Sequence, residues 1–190
     1  MNRKASATAI ALAAALALTG CTINIGGSKS DDTGGMMNHS THSNFSGADV
    51  MFAQMMIPHH QQAVDMGTLA ETRASDPAVK KLAAQIKAEQ APEITLMKSW
   101  LDEANATMDM GHDMGMGGML DETEMEALTN ATGAAFDKLY LEGMIEHHKG
   151  AIHMAQMVID SENAEVAKLG KAIIDSQTKQ IAYMESLLKK

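Results

Sequence analysis

The chain has 190 residues, of which 45% are hydrophobic but only 3% aromatic, with 18 Met, one Cys and a formal net charge of −9. An acidic surface repels phosphate backbones, which excludes nucleic acid as a partner, and one Cys excludes an intrachain disulfide or a thiolate metal site. Leu, Ile, Met and Ala are left to fill the core.

Arg3 and Lys4 precede an apolar run from Ala5 to Leu18, too short to span a bilayer and typical of a secretory signal. The run ends in Leu18-Thr19-Gly20-Cys21, which resembles a bacterial lipobox. Residues 1–20 are therefore expected to be a signal peptide. Cys21 is the expected lipidation site and new N-terminus, so the protein is extracytoplasmic, lipid-anchored to a bacterial membrane at the cell surface or periplasmic face. Loss of Arg3 and Lys4 takes the formal charge from −9 to −11. Residues 21–46 follow as a polar, flexible tether that carries Met36, Met37, His39 and His42.

From residue 47 to 190 helix formers dominate, with only Pro58, Pro77 and Pro92 as breakers and no useful β-alternation. Met55-Met56-Ile57-Pro58-His59-His60 returns as Met144-Ile145-Glu146-His147-His148, 88 positions on. Asp49 to Met66 aligns with Asp137 to Met154 at that offset, and seven of the eighteen positions are identical. After a one-residue difference in the turn, Val79, Leu82, Ile86, Gln90, Ile94, Met97 and Leu101 match Val166, Leu169, Ile173, Gln177, Ile181, Met184 and Leu188. Both series step by 3, 4, 4, 4, 3, 4, one stripe of an amphipathic helix. The sequence thus predicts an all-α four-helix bundle made of two duplicated helical hairpins, 47–104 and 121–190, with turns near Asp76-Pro77 and Ser161-Glu162-Asn163. Pro58 should kink the first helix or start a new segment, and Pro92 should bend the second. Asp121 to Thr129 reads as a short extra helix.

Residues 105–120 between the hairpins form a Met/Gly-rich loop, because four Gly in twelve residues exclude a helix. Met108, Met110, His112, Met114, Met116 and Met119 make it a second soft-metal candidate, suited to Cu(I) or Ag(I).

The main candidate centre combines the doublets with their flanks. Asp49, Met56 and His60 stand at i, i+7 and i+11 on one helix face, as do Asp137, Met144 and His148. His59 and His147 are rotated by ~100° from their neighbours, and Met66 and Met154 lie one heptad beyond them. The pooled imidazoles, thioethers and carboxylates can accept Cu(I) through His and Met, or Cu(II) through His and Asp, with silver as a surrogate; calcium and magnesium fit poorly. A lone His on an apolar face is usually structural, but a doublet repeated with Met one turn upstream is harder to explain that way. Met56 and Met144 taken singly serve core packing as well as ligation. Gln90 and Gln177 either support a ligand His from behind or sit at a solvated bundle edge. Protons should compete for imidazole as the pH falls toward five.

Phe136-Asp137-x-x-Tyr140-Leu141-x-x-Met144-Ile145-x-His147-His148-x-x-Ala151-Ile152-x-Met154-Ala155, with its partner at Asp49 to Met66, resembles the DUF305 family. The resemblance spans Gly47 to Lys190. It implies a ferritin-like four-helix fold, copper handling outside the cytoplasm, and the motif positions Met56, His59, His60, Met144, His147 and His148. The expected function is a copper-binding lipoprotein that sequesters copper or exchanges it with a donor or acceptor protein. One alternative is a ferritin-like metal oxidase, although Asp49 and Asp137 are the only well-placed carboxylates and Glu146 lacks the Glu-x-x-His spacing. A non-metal envelope interaction module is the other. No Ser-His-Asp or Cys-His arrangement is evident for an enzyme.

Overall fold

The computed structural model describes residues 44–108 and 117–190. They form five helices: α1 (Gly47–Arg73), α2 (Pro77–Glu103), α3 (Glu122–Asn130), α4 (Gly133–Ala155) and α5 (Ala164–Leu188). No strand occurs among the described residues. The helix starts are chemically marked. Ser46 and Asp49 cap α1 reciprocally, as Asp121 and Glu124 cap α3. The Asp76 side chain accepts from the Ala78 amide with Pro77 behind it, and Asn163 accepts from the amides of Glu165 and Val166. Pro58 and Pro92 both lie inside continuous helices. The new segment expected at Pro58 does not form, because packing on both sides of it outweighs the loss of one backbone hydrogen bond.

Helix α1 packs on α2, α4 packs on α5, and the hairpins meet across α1 and α4. These are the four long helices of a bundle; α3 is a short addition against α4. The α1–α4 pair runs antiparallel, as its core shows. The first half of α1 (Phe52, Met56) shares an apolar cluster with the end of α4 (Met154, Ala155), together with Ile94 and Met97 of α2 and Val166 and Ile173 of α5. The second half of α1 (Ala63, Met66) shares another with the start of α4 (Phe136, Tyr140, Met144), Ile86 of α2 and Met184 of α5. Each buried Val, Ile, Met or Phe among them contributes roughly 1.5–3 kcal/mol by leaving water. On all four long helices the residues between these clusters are polar and buried: His59 and His60, Gln90, His147 and His148, and Gln177 and Gln180.

The chain on either side of residues 109–116 is pinned to α1. Gln54 Nε2 donates to the Thr107 carbonyl (2.6 Å). Eight residues on, about 12 Å along the helix, Gln62 holds Leu120 at two points: Nε2 donates to its carbonyl and Oε1 accepts from its amide, both at 2.8 Å. On α4 the position equivalent to Gln62 is Gly150, and the 117–118 backbone lies directly on it; a Cβ there would stand 1.8 Å from the Gly117 carbonyl oxygen. Gly118 has φ +85°, which Gly adopts without strain. No helix among the described residues is long and apolar enough to cross a membrane.

Candidate metal centre

All four doublet imidazoles are at 0% exposure. The antiparallel crossing stacks His59 on His147, ring centroids 3.7 Å apart and tilted by 37°. Within each doublet the rings are 6.5 Å (His59–His60) and 6.2 Å (His147–His148) apart. His147 Nε2 donates to the His59 carbonyl (2.9 Å), His60 Nε2 meets Glu93 Oε2 (2.8 Å), and His148 Nε2 meets Gln180 Oε1 (2.7 Å). Gln180 Nε2 in turn donates to Glu89 Oε2 (2.7 Å).

Much of the band's hydrogen-bonding capacity is unused. Among the described residues, both ring nitrogens of His59, Nδ1 of His60, His147 and His148, both amide atoms of Gln90 and Oε1 of Gln177 are buried without a partner. The Gly117 backbone approaches the His59 ring, favouring its protonated form, but without a hydrogen bond of ordinary geometry. Each unpaired buried polar atom costs about 1–3 kcal/mol, so this concentration at the middle of the bundle is a property in need of a function.

Burial favours the neutral form of three of the rings, His59, His147 and His148. Burial, then the neighbouring His60, lowers His59 to about 3. His148 is lowered to about 4, chiefly by burial, with its Gln180 hydrogen bond acting the other way. Burial and then the charge of His59 hold His147 well below its ordinary value. Neutral imidazole is the metal-binding form. Proton competition at His148 and His59 therefore moves below the pH five expected from the sequence, toward about 4 and about 3, and His147 shifts in the same direction.

The structure separates the other sequence candidates. Met56 and Met154 join one flanking apolar cluster, and Met66 and Met144 the other, all buried. These thioethers bracket the imidazole band from both sides. Asp49 and Asp137 are not brought to the band: each lies ten residues before its doublet, about 15 Å along the helix. Asp49 accepts from the Ser46 amide in the α1 cap. Asp137 spends both carboxylate oxygens on the α1–α2 turn, accepting from the Ser75 amide and hydroxyl and the Asp76 amide. Sharing a helix face with the doublets does not bring them to the rings, because ten residues separate them along the axis. Met108 is exposed and Met119 half-buried. Met110, His112, Met114, Met116 and Cys21 lie outside the described residues. Among the described residues, no three of His, Cys, Asp and Glu are grouped to hold a metal ion; the one carboxylate in contact with a doublet ring is that of Glu93.

Gln90 and Gln177 are buried, 3% and 2% exposed, which rules out a solvated edge. The residues that contact the doublet rings are instead Glu93 and Gln180, one turn further on, which the sequence reading missed. They stand at the same 87-residue offset as the core stripe, but they differ in identity, so a search for matching residues passes over them.

Comparison with known proteins places this geometry among relatives. The model of the family "Domain of unknown function (DUF305)" matches residues 49–188. The crystal structure of a DUF305 protein from Streptomyces coelicolor, named as a secreted protein, superposes with a TM-score of 0.72 at 34% identity, covering 75% of this chain and 92% of that one. CopM in its Cu(II)-bound form gives a TM-score of 0.65 at 36% identity, covering 74% and 95%. CopM is also known in Cu(I)-bound and Ag-bound forms, with TM-scores of 0.64 and 0.61, each at 34% identity. A shorter match, 42% identical over 55 residues, is to the uncharacterized protein L153 of Acanthamoeba polyphaga mimivirus, covering 29% of this chain and 36% of that protein.

Proposed function

The chain belongs to the DUF305 family, and on that footing we propose that it is an extracytoplasmic copper-binding lipoprotein. It sequesters copper, or exchanges it with a donor or acceptor protein, through the His59-His60 and His147-His148 half-sites. The observation that carries the reading is the set of buried imidazole nitrogens without partners where the two half-sites meet. A soft cation uses their lone pairs where water and protons do not reach. Thioethers of Met56, Met66, Met144 and Met154 stand to either side and favour the Cu(I) state. Metal binding by the CopM relatives supports the same chemistry. Cys21 supplies the lipid anchor. Met108, Met110, His112, Met114, Met116 and Met119 form a second, low-specificity capture segment. The sequence contains no Glu-x-x-His pair, which weighs against a carboxylate-bridged metal oxidase.

The test is a Cu(I) titration against a chromogenic Cu(I) chelator, run beside a variant with His59, His60, His147 and His148 all changed to Ala, with helicity checked by circular dichroism. Tight binding that falls in a helical variant supports the bundle site. Binding unchanged by the substitutions moves the function to the Met-rich segment, and binding by neither protein refutes the copper reading.

A further inference from the structure

Two residues facing the doublets have equivalent places and unlike chemistry. Glu93 on α2 contacts His60, and Gln180 on α5, 87 positions later, contacts His148. Their hydrogen bonds determine which nitrogen of each ring carries the proton. A carboxylate only accepts, so His60 Nε2 must donate to Glu93, and in the neutral, metal-binding form of the ring Nδ1 is bare. His148 is fixed through a chain of hydrogen bonds. Glu89 only accepts, so the Gln180 amide nitrogen must face it and the Gln180 oxygen must face His148. His148 Nε2 then donates, and Nδ1 is again the bare nitrogen. Both Nδ1 atoms are buried without a partner.

We propose that Glu93 and Gln180 are positioning residues that hold His60 and His148 in the Nε2–H tautomer, so that each presents Nδ1 to the metal. The proposal rests on the doublets being the copper site and names the ligating nitrogen and its support. The unlike partners have a consequence. A carboxylate behind His60 makes that imidazole a stronger, harder donor than the one held by the Gln180 amide. The His60 half then favours Cu(II) more than the His148 half does. An amide is needed at 180 because one residue there must accept from His148 and donate to Glu89 at once; Q180E would set two carboxylates against each other.

The test uses the protein labelled with 15N-histidine and two-bond 1H–15N correlation spectra, first metal-free and then titrated with Ag(I), which is diamagnetic. The metal-free spectrum is expected to show Nε2–H forms for His60 and His148. Ag(I) should shift their Nδ1 resonances and leave Nε2 protonated. E93Q, whose amide oxygen still accepts, should keep the His60 tautomer and its Ag(I) affinity but lose Cu(II) affinity by about tenfold or more. E93A should lose the tautomer preference at His60 alone, leaving His148 as an internal control for folding. Nδ1–H forms in the metal-free protein, or Ag(I) shifting Nε2, would overturn the positioning. Equal losses of silver and Cu(II) affinity in E93Q would overturn the claimed asymmetry. Expected tautomers with no ring shift on Ag(I) would instead refute the doublets as the metal site, and the presentation of Nδ1 to metal with them.

Discussion

Substituting Gly150 by Ala tests how the segment beside the histidines is held. Position 150 is in mid-helix, where Ala is intrinsically favoured over Gly by about 1 kcal/mol. The structure predicts the opposite sign. The new Cβ would stand 1.8 Å from the Gly117 carbonyl oxygen and 3.1 Å from the Gly118 Cα, both backbone, so no rotamer change relieves it. Gly117–Leu120 must lift from α4. That breaks the two Gln62–Leu120 hydrogen bonds, at about 1 kcal/mol each, and re-exposes part of Leu120, for ~1–2 kcal/mol more. Set against the gain in helix propensity, the net is a loss of about 2–3 kcal/mol. In urea denaturation of the metal-free protein followed by circular dichroism, this is a fall in midpoint of roughly 1–2 M. G47A is the control: its Cβ meets nothing within 4 Å, and its stability should hold or rise slightly. Q62A should cost about 2 kcal/mol alone and little on top of G150A, since both undo the same docking. A G150A protein as stable as the parent, or fully additive effects in the double variant, would refute the account.

Acid should destabilise the metal-free bundle from pH 6.5 downward. The unfolded chain takes up protons near 6.5, while folding lowers His59 to about 3, His148 to about 4, and His147 too. Stability is thus complete above pH 6.5 and falls by about 1.4 kcal/mol per pH unit for each of the three rings until their folded values are reached; chemical denaturation at pH 7, 6 and 5 measures the slope, and a flat profile contradicts the burial argument. D137A should cost about 2–4 kcal/mol by stranding the Ser75 and Asp76 amides, with Cu(I) affinity unchanged; a weakened affinity in a folded variant would restore Asp137 as a ligand. Replacing Met108, Met110, Met114, Met116 and Met119 by Leu should lower Cu(I) stoichiometry with helicity retained, and unchanged capacity would remove that segment from the function.

Periodicity carried the fold because the information was local and doubled. The 3-4 stripe marks one face of α2 and α5, and repeating it at a fixed offset left a pair of hairpins as the economical solution. The doublets were legible for the same reason. Periodicity also misled, since it reports angle about a helix and not height along it. Asp49 and Asp137 share a face with His60 and His148 and still sit at the opposite end of a fifteen-ångström stretch, occupied with caps and turns. Glu93 and Gln180 were hidden because their equivalence is positional: α2 and α5 bring them to the rings only once the hairpins have closed. Of the kink or new segment that local rules allow at Pro58, the new segment does not form, because helix packing on either side carries α1 through it.

On the proposed copper reading, the buried polar slab dividing the two apolar clusters links cargo to survival. An empty molecule carries a fault line through its middle, and opening along that line exposes backbone to proteases. An ion present at about a thousandfold above its dissociation constant adds ~4 kcal/mol to the folded state, closing the fault and lengthening the life of the loaded carrier relative to the idle one. Abundance would then follow copper supply without a change in gene expression.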